Sequence, residues 1–180
     1  MLWVNWLKKQ RKKFGRLPGR DVTTGVLDCA TQPDVVVRTK IEALEAAFAD
    51  KNPLAFEEAL VDAPTFEPRD RVCALLTRAL EEDWFFPHED IVQYIQELRC
   101  CDAVAVLEKR AIDIPEHLQW DDGFSFSRKC TWALADIGTT DALAALERLA
   151  RSENSAVRDF AQRRLDRWEA ELERKGVHPS

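Results

Sequence analysis

A repeat is written into the second half of the chain, and it constrains the fold more than any other feature. Phe126, Cys130, Leu134 and Ile137, moved forward by 31 residues, fall on Val157, Ala161, Leu165 and Trp168. Moved back by 39, the run Cys130, Leu134, Ile137, Asp141, Ala142 and Leu143 falls on Ile91, Ile95, Leu98, Asp102, Ala103 and Val104. The two offsets differ by an insertion between Arg110 and Ser125 (AIDIPEHLQWDDGF), which lengthens one loop and spares the flanking helices. A two-helix unit of this kind cannot bury its own apolar face and must stack on the next one.

The stripes that repeat have helical spacing. They comprise Val37, Ile41, Leu44 and Phe48; Val72, Leu75, Leu76, Ala79 and Leu80; Ile91, Ile95 and Leu98; and Val104, Leu107 and Ala111. Three more follow: Phe126, Cys130, Ala133, Leu134 and Ile137; Leu143, Leu146 and Ala150; and Val157, Phe160, Ala161, Leu165, Trp168 and Leu172. With a shorter helix opening at Asn52-Pro53, the spacing predicts eight helices from position 33 onward. Gln32-Pro33, Asn52-Pro53 and Phe86-Pro87 place proline where a missing N–H does no harm, and Asp102, Thr140 and Asn154 are expected N-caps. The connection from Gly138 to Asp141 leaves room only for a tight helical hairpin.

Residues 126 to 138 (FSRKCTWALADIG), the following TTDALAALERL and then SAVRDFA resemble the HEAT-repeat family, with an Arg-bearing, Ala-rich first helix, an Ile-Gly turn and a Leu-rich second helix. The resemblance covers residues 88 to 174, with Arg99-Cys100 standing where the later repeat has Gly138. It implies an all-α fold, a right-stacked α-α superhelix of about four helical hairpins, and a binding scaffold rather than one reaction. The expected organisation is a basic amphipathic helix and linker over residues 1–32, then a helical repeat domain over 33–180.

Charge narrows the partner. Residues 1–20 carry seven Lys or Arg and no acid, so the other 160 hold 19 basic against 32 acidic side chains, a balance of −13. Such a body repels nucleic acid and attracts a basic protein. The N-terminal segment, with Leu2, Trp3, Trp6, Leu7 and Phe14 opposite Lys8, Arg11 and Lys12, either caps the first hairpin, touches an anionic membrane or nucleic acid through residues 1–14, or is a free arm. No apolar run reaches the ~18 residues of a membrane span. Cys29, Cys73, Cys100, Cys101 and Cys130 lack CxxC spacing and read as reduced thiols of a cytoplasmic protein. His88, His117 and His178 read as isolated surface residues.

Two acidic and aromatic clusters are the candidate partner-binding site. One spans Glu81, Glu82, Asp83, Trp84, Phe85, Phe86, Glu89 and Asp90; the other holds Asp113, Glu116, Trp120, Asp121, Asp122 and Phe124. Both follow the second helix of a hairpin and are expected on one edge, about a repeat apart. Aromatic anchors within a carboxylate rim suit a cationic partner. On the alternative reading Phe85, Phe86 and Phe126 fold inward while the acids cap helices. No phosphate loop, nucleophile elbow or metal-ligand spacing is present, so no catalytic, cofactor or metal residue is assigned. The sequence thus reads as a non-catalytic scaffold, similar in overall character to immunity proteins that neutralise a basic toxin domain. A HEAT-like nucleic-acid-acting enzyme would need a basic groove, and an adaptor or lyase-type scaffold for a cofactor-bearing protein a deep apolar pocket. Trp132 lies off its helix's stripe and is expected under the insertion, and the mixed charges of 163–175 are expected to form a solvated closing face.

Overall fold

A computed structural model describes residues 33–121 and 124–175; the expectations for residues 1–32, Asp122 and His178 lie outside the described residues. Among the described residues there are nine α-helices and no strand: α1 (Pro33–Ala49), α2 (Pro53–Leu60), α3 (Arg69–Leu80), α4 (His88–Leu98), α5 (Val104–Arg110), α6 (Phe124–Ile137), α7 (Thr140–Leu149), α8 (Ser155–Leu165) and α9 (Trp168–Lys175). Short 3-10 turns cover Ala63–Thr65, Cys101–Ala103 and Glu116–Asp121. No described helix is long and apolar enough to cross a membrane.

Most of the stripes are buried, but Leu98, Phe160 and Leu165 are only half-buried, and in α7 the buried face is Ala142, Ala145, Leu146 and Leu149, leaving the expected Leu143 and Ala150 half-buried. Ile41, Leu44 and Phe48 of α1, Val72, Leu76 and Leu80 of α3, Ile91 and Ile95 of α4, Leu107 of α5, Phe126, Cys130 and Leu134 of α6, Leu146 of α7 and Val157 and Ala161 of α8 form one continuous core. Each fully buried large apolar side chain contributes about 1.5–3 kcal/mol relative to exposure. Helices adjacent in sequence pack together (α3 on α4, α5 on α6, α7 on α8), and so do helices two apart, α4 on α6, α6 on α8, α3 on α5 and α5 on α7.

Capping follows local chemistry, with two corrections. Asn52 accepts the Ala55 N–H (3.2 Å), and Asn154 accepts those of Ala156 and Val157. Thr139, not Thr140, caps α7 by accepting the Ala142 N–H, and Asp102 sits inside a 3-10 turn that leads into α5 without a side-chain cap. The last stripe is divided between α8 and α9, because the Arg167 N–H turns back three residues to Arg164 instead of four and closes a tight turn at 166–167. Gly138 ends α6 at φ 74°, and Arg99 occupies the matching place after α4 at φ 51°, so a non-glycine residue takes the left-handed conformation there.

The cysteine expectation is overturned in part. Cys73 of α3 and Cys100, in the turn after α4, are joined by a disulfide with Cα atoms 5.3 Å apart. Position 73 lies at the border of the α3 stripe, where that turn passes over it, so neither thiol is free and the compartment argument from reduced cysteines loses its premise. Cys130 is buried in α6, where desolvation raises its pKa; Cys101 is exposed.

Candidate functional site

The turn between α3 and α4 and the insertion between α5 and α6 meet, and Arg110 is what joins them. This last residue of α5 is almost fully buried. Its Nε donates to the Leu80 carbonyl (2.8 Å), and one terminal nitrogen donates to Glu81 O (2.9 Å) and to Asp83 Oδ1 (2.7 Å). The other terminal nitrogen lies 3.8 Å from Asp113 Oδ2. Leu80 and Glu81 expose carbonyls because α3 ends there, so the guanidinium is satisfied largely by helix-terminal oxygens rather than by one carboxylate.

Two histidines complete the junction. His88, expected at the surface, is fully buried at the start of α4; its Nε2 donates to Glu82 O (2.7 Å) and its ring stacks on Phe85 with centroids 4.6 Å apart. Burial depresses its pKa to about 4, with His117 and Arg110 lowering it further, so the imidazole is neutral and its 3.9 Å approach to Asp83 is no ion pair. His117, from the 3-10 turn of the insertion, donates through Nε2 to Phe86 O (3.0 Å) and sits edge-on to the Phe86 ring.

Between these segments opens a cleft of about 580 Å³. Asp83, Asp113 and Glu116 stand around it with Arg110 and His117, and Phe86, Ile114 and Pro115 supply its apolar wall. The carboxylates of Asp83 and Asp113 remain 68% and 63% exposed although both reach toward Arg110, so one face of each still meets solvent. The two clusters, expected a repeat apart, therefore share a single hollow.

The other candidate residues divide. Trp84 is half-buried, its ring packed on Phe48, Phe56 and Phe85, and Phe85 and Phe126 are buried as the inward alternative held. Phe86 goes the other way and is 60% exposed. Glu82 pairs with Lys51 (3.2 Å) and Glu89 with Lys129 (3.5 Å), outside the cleft lining. Glu81 is exposed at the end of α3, while Asp90, in the first turn of α4, has its pKa raised by burial, with Lys129 lowering it and Glu89 raising it to a smaller degree. Asp121 turns inward and accepts from the Ser125 N–H (3.1 Å) and hydroxyl, capping α6. Trp120 and Phe124 stand exposed in the insertion and at the start of α6.

Sequence reasoning missed Arg110, His88 and His117. A signal existed for the first: Ala103, Leu107 and Arg110 have core spacing, and a charged residue at the third position marks a buried cation. Among the described residues no three His, Cys, Asp or Glu side chains converge to hold a metal ion. No family model, curated protein or solved structure matches the chain.

Proposed function

We propose that the helical body is a HEAT-like α-α superhelix of about four hairpins that works by binding, not catalysis, and that the cleft receives a cationic segment of a protein partner. The packing of α3 on α5 and α5 on α7, and of α4 on α6 and α6 on α8, in alternating relation supports the layered reading. The observation that carries the functional reading is the disposition of charge around Arg110. Its donors are engaged by helix-end carbonyls below, while Asp83, Asp113 and Glu116 present solvent-facing oxygens beside the exposed Phe86 ring. A lysine or arginine entering there gains carboxylate partners and an aromatic edge without meeting a free cation. Trp120 and Phe124 extend the apolar contact along the insertion.

In its specific form the partner is the basic domain of a toxin, the carboxylates take the place of the anion that domain prefers, and the complex forms in the cytoplasm. The overall balance of −13 outside the first 20 residues supports steering of such a partner. The test is titration of a basic toxin-domain candidate, with its toxic activity measured in parallel. Affinity is expected to fall steeply with added salt, and the triple reversal Asp83→Lys, Asp113→Lys, Glu116→Lys to abolish both binding and neutralisation. Binding that survives the reversal, or ignores salt, would overturn the reading.

A further inference from the structure

A second hollow, of about 180 Å³, lies on the faces of α6 and α8 that look away from the core. In a protein of net charge −6 its lining is the reverse of the acidic cleft: Arg128, Arg163 and Arg164, the Thr131 side chain, the rings of Trp132 and Phe160, and no carboxylate. Arg164 is buried, with its guanidinium 3.7 Å from the centre of the Trp132 ring and one terminal nitrogen 3.2 Å from Glu171 Oε1. Trp132 is still 36% exposed and meets Arg164 of α8 across its ring face, and with Arg164, Trp168 and Leu172 buried the stretch from Arg163 onward is no simple solvated face. Among the described residues Arg128 and Arg163 form no ion pair, and Asp166, the next acid in the chain, just past the end of α8, accepts a hydrogen bond from Gln162. Burial lowers the Arg164 pKa, and Arg163 and Arg167 lower it further against the single opposing effect of Glu171. One buried guanidinium, Arg164, and two exposed ones, Arg128 and Arg163, thus line the same hollow with no carboxylate in its wall.

We infer that this hollow binds a phosphoryl dianion carried on a small aromatic or apolar body. Guanidinium forks match phosphate oxygens in pairs, and a dianion balances positive charge that a monoanion balances only in part. The volume lies below the ~300 Å³ at which drug-sized ligand pockets begin, so the occupant is a compact phosphate monoester. Phe160 and the open edge of Trp132 give its body an apolar seat, while Arg164, already fixed by the indole and by Glu171, needs no reordering to meet the anion.

Calorimetric titration of the full chain with phenyl phosphate, inorganic phosphate and benzoate tests the inference. Phenyl phosphate is expected to bind once per chain and at least ten times more tightly than either of the others. Arg128→Gln and Arg163→Gln, both at exposed positions, should each weaken it about five-fold with the melting temperature unchanged, whereas Asp83→Asn should leave it intact. Absence of saturable binding, equal affinity for benzoate or for bare phosphate, or full affinity in the Arg128→Gln, Arg163→Gln double variant would overturn it. The cationic-partner reading rests on other residues and survives any of these results.

Discussion

Arg110 and Arg164 are both drawn into the molecule, and they are used in opposite ways. Each stands at the third position of a core-spaced triplet, Ala103, Leu107, Arg110 running from the 3-10 turn into α5 and Val157, Ala161, Arg164 in α8. Arg110 spends its donors on the carbonyls that end α3, and carboxylates gather around it. Arg164 lies on an indole face with one carboxylate, and further arginines gather around it. A buried cation is thus a structural bolt where backbone oxygens complete its shell, and a site looking for an anion where they do not.

The contrast breaks most visibly at Arg110. Arg110→Met keeps the side chain's length but strands helix-end carbonyls and loosens the 81–88 turn from the insertion, an expected loss of about 3–5 kcal/mol. Denaturant unfolding reads this directly, and a loss below that of Arg164→Met would show that the two arginines are not differently employed. Next in size is the disulfide, which ties the start of α3 to the turn after α4, at the end of that hairpin away from the 81–88 turn. Opening the Cys73–Cys100 bridge, which closes a sequence separation of 27, should lower stability by about 3–4 kcal/mol by releasing unfolded-chain entropy. Unfolding with and without reductant, with the Cys73→Ser, Cys100→Ser variant as control, checks it; a variant as stable as the oxidised protein would remove the bridge from the account.

The sequence declared the helices more fully than it declared the site, and the reason is physical. Apolar periodicity records burial directly, so the stripes of α3 and α6 could be read without knowing their neighbours, whereas in α7 the alanines Ala142 and Ala145 share the buried face with Leu146 and Leu149 and the reading slipped to Leu143 and Ala150. The equivalence of Arg99 with Gly138 was legible as an alignment, yet only the backbone shows that both take positive φ. The break between α8 and α9 was hidden because no glycine or proline marks it and the stripe runs across it unbroken. At the site, carboxylates were visible as residue types, but their direction was not: Asp83 and Asp113 converge on a side chain 27 and 3 positions away, whereas Asp121 turns back to cap its own helix. Adjacent Trp84, Phe85 and Phe86 share one composition and go to different places, since a turn sends consecutive side chains in different directions.

His88 sharpens the acidic half of the comparison. Its folded pKa, about 4, lies below the 6.5 of an unfolded imidazole, so the unfolded chain takes up the proton first as the medium is acidified. Stability from this group is complete above pH 6.5 and is lost as pH falls from there toward 4, a span worth about 3 kcal/mol. His88→Gln retains a donor for the Glu82 carbonyl and removes the titration, so its stability should fall less than that of the parent across this interval. Parallel pH–stability curves of the two proteins decide it; identical slopes would show that His88 is not held neutral.

The smallest effect is expected at Arg164, and its smallness is the point. Methionine there keeps contact with the Trp132 ring through its sulfur, removes a cation crowded by Arg163 and Arg167, and gives up the pairing with Glu171. Loss of the cation–π contact and of a partly buried pair is offset by relief of that crowding, leaving a net destabilisation of about 1–2 kcal/mol. The same variant should lose phenyl phosphate binding while its affinity for a cationic partner at Asp83, Asp113 and Glu116 stays as it was. If Arg164→Met destabilises as much as Arg110→Met, the guanidinium in α8 is a bolt like the other, and the arginines around it need a different explanation.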